Sequence, residues 1–245
     1  MSSAVLVRHN LALLAAEPGA VISRIVMPLA VITVLRPLYT AAIGAQGTAY
    51  AVTGALVLFS LLGLSIVGGS LLTERAWHTL DRVRTTPARP IEILVGKAVP
   101  LGGVLLAQQA VVLSYGVVVL GMRVARPDLL ALAALAWAAA LLALGALAAM
   151  LVRSHSELGA VNDLGALVLT TLGGAMVPLS LLPAWARAIA PASPGYWAMR
   201  AMHAAVTGDT STTLTSAAVL IGVAATAAAL AAWRMSRGWG RSRLL

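Results

Sequence analysis

The 245-residue chain has no cysteine, which excludes a disulfide framework, a thiolate metal cluster and a cysteine nucleophile. Charge is scarce as well: Asp, Glu, Lys and Arg make up 10% of the residues, against about 25% in an ordinary soluble domain. With 60% hydrophobic residues and a mean hydropathy of +0.93, that shortage excludes a soluble globule and points to a bilayer. The charge that is present is one-sided. Seventeen Lys and Arg against eight Asp and Glu give +9, which in a soluble chain would suggest nucleic acid but here has to be read against membrane sidedness.

A membrane helix needs about 20 mainly apolar residues. No charge occurs between Arg36 and Glu74, a stretch too long for one crossing, and Gly44, Gln46 and Gly47 mark a turn inside it. The sequence predicts six spans, near 22–43, 49–72, 95–121, 128–152, 158–182 and 211–233. All six are expected to be helices, because a backbone in lipid must bond within its own segment and the alternation of a barrel strand is missing. The fold expected is therefore all-α, a single membrane domain over residues 1–245.

Basic residues set the orientation. With a cytoplasmic N-terminus the inside holds Arg8, Arg24, Arg75, Arg82, Arg84, Arg89, Lys97, Arg153, Arg234, Arg237, Arg241 and Arg243, against Arg36, Arg123, Arg126, Arg187 and Arg200 outside. This excess places both termini in the cytoplasm. The basic tail Arg234 to Arg243 then lies against anionic headgroups, so the net charge requires no nucleic acid. Tyr39, Tyr50, Trp185, Tyr196 and Trp197 fall at the outer edge and Trp77 and Trp233 at the inner edge, while Trp137 sits mid-span as an exception. Leu11 to Ala16, halted by Glu17-Pro18, is short for a signal-peptide core, and the segment Ala4 to Ala16 reads as an amphipathic helix at the inner surface.

Two segments outside the spans stand out. The inner segment 73–87 places Glu74 at its start and Arg82 and Arg84 near its end, as a helix dipole favours, and Thr86-Pro87 can open a second helix. Physics alone leaves two readings level, a solvated positive loop and a helix on which a partner docks. The outer segment 182–200 contains Pro183, Pro191 and Pro194 with Trp185 and Trp197, and divides into short helices that lie in the interface or dip into it. Trp185, Tyr196 and Trp197 either anchor there or gate the exit of a transported molecule.

These residues resemble a known pattern. Glu74-Arg75, Thr79, the run Asp81-Arg82-Val83-Arg84-Thr85-Thr86-Pro87 and Gly96-Lys97 look like the signature after the second span of ABC-2 type permeases. Pro178, Leu182-Pro183-Ala184-Trp185, Pro194 and Thr207-Gly208 are similar to that family's segment after the fifth span, and Glu17-Pro18 and Pro28 also fall where it tends to have proline. One departure is His78, where the family usually has glycine. The resemblance covers nearly the whole chain and implies the membrane subunit of an ATP-driven exporter. Two permease copies, a homodimer or a pair with a related permease, would join two separate ATP-binding subunits. The inner helix would then couple the subunits through Glu74, Arg75, Trp77, His78, Asp81, Arg82, Arg84, Thr86 and Pro87. ATP and magnesium would sit in the partner; this chain is expected to bind no cofactor or metal, and Gly96-Lys97 lacks the glycine spacing of a P-loop. The short six-span form with the stretch Asp81-Arg82-Val83-Arg84-Thr85-Thr86-Pro87 looks like drug and antibiotic resistance permeases, which implies a hydrophobic or amphipathic substrate (drug, antibiotic or lipid-like) and a bacterial plasma membrane.

Polar groups within spans are costly and invite a functional reading. Arg36 lies about 18 Å beyond Arg24 along the first span and either snorkels outward or lines a substrate path. Asn162 and Asp163 lie about one turn into the fifth span, and Gln108 and Gln109 in the third act as interhelical bonds or as ligand contacts. Two other classes are weighed against a permease. An intramembrane hydrolase built on Ser65 has no histidine in a confident span to serve as base, and Asp163 has no acidic companion for a two-aspartate protease. An ion-coupled secondary transporter would call for buried acids or repeated halves, and neither is found.

Overall fold

The computed structural model describes residues 18–62, 69, 72, 90–152 and 154–236. Eight helices occur there and no strand: α1 Pro18–Ile43, α2 Gly47–Leu62, α3 Pro90–Val118, α4 Pro127–Leu151, α5 His155–Leu172, α6 Ala184–Ile189, α7 Pro194–Thr207 and α8 Thr210–Ser236. Short 3-10 turns fill Gly44–Gln46, Leu179–Leu181 and Ala190–Ala192. Four stretches are long and apolar enough to cross a bilayer, Ile25–Leu62, Val99–Val118, Pro127–Leu151 and Thr210–Met235, and the Gly44–Gln46 turn divides the first into α1 and α2. Four of the expected spans, 22–43, 95–121, 128–152 and 211–233, thus correspond to α1, α3, α4 and α8. The span expected over 49–72 begins as α2, and most of its remainder lies outside the described residues. So do the surface helix expected over 4–16, Ser65, the coupling segment 73–87 and the tail from Arg237.

Helix α4 is the hub. Its alanines 133, 136, 140 and 149 are fully or almost fully buried, letting neighbours approach closely, and its most extensive contact is with α8. Trp137 accounts for its odd place in the sequence: it is fully buried in the main core rather than anchored at an interface. The two helices run parallel in register, since Arg126 Nη1 donates to Thr210 Oγ1 at one end (3.3 Å) and Arg234 Nε to the Met150 carbonyl at the other (3.3 Å). Helix α2 packs against α1, α3, α5 and α7, which makes it the second organising element.

The span expected over 158–182 is corrected. Ser154 caps α5 by accepting the Glu157 amide (3.1 Å), but the helix stops at Leu172. Gly174 at φ +75 turns the chain, and Pro178 and Pro183 keep the following stretch from resuming a long helix. The short helices expected after it are present, yet α7 does not simply lie in an interface: Ala198, Met199, Ala201, Met202 and Ala205 join the main core.

Close backbone contact makes this possible. A Cβ at Gly54 of α2 would run into the Ala175 carbonyl oxygen, whereas one at Gly103 of α3 would meet nothing within 4 Å. Gly54→Ala should therefore destabilise the chain by about 1–3 kcal/mol, while Gly103→Ala should be neutral or stabilising by up to about 1 kcal/mol. Unfolding of the two purified variants in detergent checks this; equal stability would contradict the packing of α2 on the 173–176 turn.

Candidate functional site

A cluster of polar and aromatic side chains lies where the α1–α2 hairpin meets α7. Tyr39 and Tyr50 face each other across the hairpin turn with ring centroids 5.3 Å apart, and Tyr50 meets the His203 ring at 5.1 Å. His203 Nε2 lies 3.2 Å from Thr53 Oγ1, and the Tyr39 hydroxyl donates to the Met176 carbonyl at 2.6 Å. Thr53 Oγ1 also lies 2.8 Å from the Ala49 carbonyl, which can only accept. With its single proton directed there, the threonine oxygen accepts from Nε2–H, which fixes the imidazole tautomer. The Tyr50 hydroxyl is buried without a partner.

Helix α7 is held at both ends. At its start the Ser193 hydroxyl donates to the Leu169 carbonyl of α5 (2.9 Å) and accepts from the Gly195 amide (3.1 Å). At its end Gly208, at φ +89, reverses the chain, and the 119–126 loop supplies two donors: Ala125 N to the Val206 carbonyl (3.0 Å) and Arg126 N to the Ala205 carbonyl (3.2 Å). These amides satisfy carbonyls that a helix terminus otherwise leaves orphaned. Asp209 then caps α8, accepting from the Thr212 amide (3.0 Å) and the Ser211 hydroxyl (2.8 Å). Bonds from Thr212 first, and then Ser211, hold its carboxyl down at about 2.

The cluster has the chemistry of a junction rather than of a catalyst. Among the residues bonded or stacked around His203 there is no carboxylate to orient it, and the Thr53 proton points to a carbonyl. His203 lies on α7, outside the spanning helices, and burial there pushes its imidazole down to about 4, so it is neutral near pH 7. Among the described residues no group of His, Asp and Glu could hold a metal.

The residues singled out from the sequence do not converge on one point. Arg36 is tied across the hairpin, its Nε donating to Thr48 Oγ1 (3.2 Å). Gln108 and Gln109 are buried on α3, and both amide atoms of Gln109 lack a partner. Asn162 is buried on α5 with an unpaired Nδ2, while its neighbour Asp163 is exposed, as the helical turn between them requires. Tyr196 and Trp197 meet edge to face at 5.2 Å, and Trp185 is separately exposed on α6. Sequence reasoning assigned Tyr50 to the interfacial belt and set His203 aside as outside a span, and it passed over Thr53. The signal for His203 was the spacing of Met199, Met202 and Ala205, which gives α7 a buried face with the imidazole at its border.

The described residues thus form a bundle of long apolar helices around a broken segment, the build of a helical membrane protein. The model of the ABC-2 type transporter family matches residues 3–206, and the chain belongs to that family. It is a multi-pass membrane protein. A comparison with curated proteins gives no match.

Removing the Thr53 hydroxyl leaves a buried N–H without an acceptor, so Thr53→Val should lower stability by about 1–3 kcal/mol and Thr53→Ser by clearly less. Because the unfolded chain takes up the His203 proton first, the imidazole's contribution is complete above the ordinary value of 6.5 and falls away as pH drops towards 4. Thermal unfolding of the wild type should therefore weaken over that window more than that of His203→Gln. Parallel pH profiles for the two would contradict the burial of a neutral imidazole.

Proposed function

We propose that this chain is the permease subunit of an ATP-driven exporter, moving a hydrophobic or amphipathic molecule such as a drug, an antibiotic or a lipid-like compound out of a bacterial cell. The observation that carries the reading is the family match over residues 3–206, joined to a bundle whose described residues supply helices and packing but no hydrolytic site. ATP hydrolysis then falls to a separate ATP-binding subunit, two copies of which serve two permeases, either identical or related. Both termini lie in the cytoplasm, and the segment 73–87 docks the partner through Glu74, Arg75, Trp77, His78, Asp81, Arg82, Arg84, Thr86 and Pro87. Charge supports this assignment: the excess of arginines on the side that holds the segment is what the inner leaflet and an acidic partner surface both favour.

Transport needs contacts that differ between two states, since a ligand shifts an equilibrium only by its differential affinity. The unpaired amide atoms of Gln109 and Asn162 are suited to that role, because groups without partners in one arrangement can gain them in another. In this reading Arg36 and Gln108 line the path at separate points, Asp163 faces outward from α5, and Trp185, Tyr196 and Trp197 guard the exit.

Co-purification with the ATP-binding subunit tests the central assignment. Reversing both Arg82→Glu and Arg84→Glu should weaken association by on the order of tenfold, about 1.4 kcal/mol, and reduce stimulation of ATP hydrolysis to match. Unchanged complex formation and stimulation would remove 73–87 from the interface. Export from vesicles driven by a proton gradient without ATP would overturn the exporter reading itself.

A further inference from the structure

Arg200 sits on α7 with its side chain outside the bundle, although its neighbours Ala198, Met199, Ala201 and Met202 are buried. Three contacts fix it. Nη1 donates to the Tyr196 hydroxyl (3.1 Å), and the guanidinium carbon lies 6.0 Å from the Tyr196 ring centre and 5.7 Å from that of Trp197. The two rings are themselves set, edge to face at 5.2 Å, and the indole N–H of Trp197 donates to the Pro191 carbonyl (2.8 Å). A long side chain that would otherwise sample many rotamers is thus held with its head in place.

The charge so held is not neutralised. Among the described residues no carboxylate pairs with Arg200: Asp128 is taken by Arg126 at 2.7 Å, and Asp209 accepts from Ser211 and Thr212. Only one of the five guanidinium N–H donors is used by Tyr196, so a fork remains free. The connection leading to α7, to which Trp197 is bonded at Pro191, leaves Leu181, Trp185 and Ile189 about half or more exposed. An immobilised cation with free paired donors, tied through Trp197 to a connection with exposed apolar side chains, matches an amphiphile with an anionic head. A phosphate accepts from the fork, and acyl chains cover the apolar residues. We propose that Arg200, Tyr196 and Trp197 form a headgroup site for one anionic phospholipid. The exposed apolar surface favours a lipid over a free phosphate, which would leave that surface bare.

Native mass spectrometry of the purified full chain in neutral detergent tests this, with phosphatidylglycerol, phosphatidylcholine and inorganic phosphate as separate probes. The wild type should retain phosphatidylglycerol about tenfold more strongly than Arg200→Ala, with Arg200→Lys between them because it keeps the charge and loses the fork. Phosphatidylcholine should bind more weakly, and inorganic phosphate should neither bind at millimolar concentration nor displace the lipid. Arg123→Ala, which removes a cation from the exposed 119–126 loop, should leave retention unchanged. Equal retention by wild type and Arg200→Ala, the same loss in Arg123→Ala, or displacement by inorganic phosphate would each overturn the proposal. Unfolding in lipid-free detergent identifies any variant with a fold defect, and Arg200→Lys then carries the comparison.

Discussion

A chain that leaves helical conformation inside a packed bundle must find a partner for every backbone group it uncovers, because the apolar surroundings offer none. That constraint governs the region between α5 and α8. The break after Leu172 and the reversal at Gly208 would each strand peptide groups, and the surrounding protein supplies the missing bonds: Ser193 to Leu169 at one end of α7, Ala125 and Arg126 to Val206 and Ala205 at the other. Two glycines, Gly54 and Gly173, let backbone approach backbone without an intervening side chain. The apolar face of α7 is then free to complete the core against α2, α4 and α8.

The arrangement gives α7 an unusual position. It is too short to cross the membrane, yet it touches the α1–α2 hairpin through Tyr50, Thr53 and His203 and the α3–α4 loop through its terminal carbonyls. A displacement of α2 relative to α4 would therefore be felt by α7, and through α7 by the start of α8. Packed interfaces of this kind tend to switch between discrete arrangements rather than deform smoothly.

Much of the architecture was legible in the sequence because bilayer thickness converts directly into run length. The α3, α4 and α8 helices follow from long uncharged stretches, α1 from an apolar run interrupted by Arg24 and Arg36, and the turn between α1 and α2 from Gly44, Gln46 and Gly47. The end of α5 was misplaced by ten residues, from 182 to Leu172, because apolar content continues through Ala175, Met176 and Val177 after the backbone has turned at Gly174. Hydropathy counts side chains and is blind to a positive φ. The inner face of the hairpin was lost for a related reason: an interfacial tyrosine and a buried one carry the same letter, and only the fold of α7 back against α2 distinguishes Tyr50 from Tyr196. The family, shown by the match over residues 3–206, was legible through the resemblance of motifs that span most of the chain, which composition alone does not supply.

The central claim is that α7 is built into the bundle against α2. The native absence of cysteine allows a direct measurement, introducing Thr53→Cys together with His203→Cys and treating the intact membrane with a short methanethiosulfonate crosslinker. Since Thr53 Oγ1 and His203 Nε2 are 3.2 Å apart, the pair should crosslink within one chain at high yield, while Thr53→Cys with Ser236→Cys, at the far end of the long α8, should not. Failure of the first pair, or equal yields from both, would mean that α7 does not pack on α2.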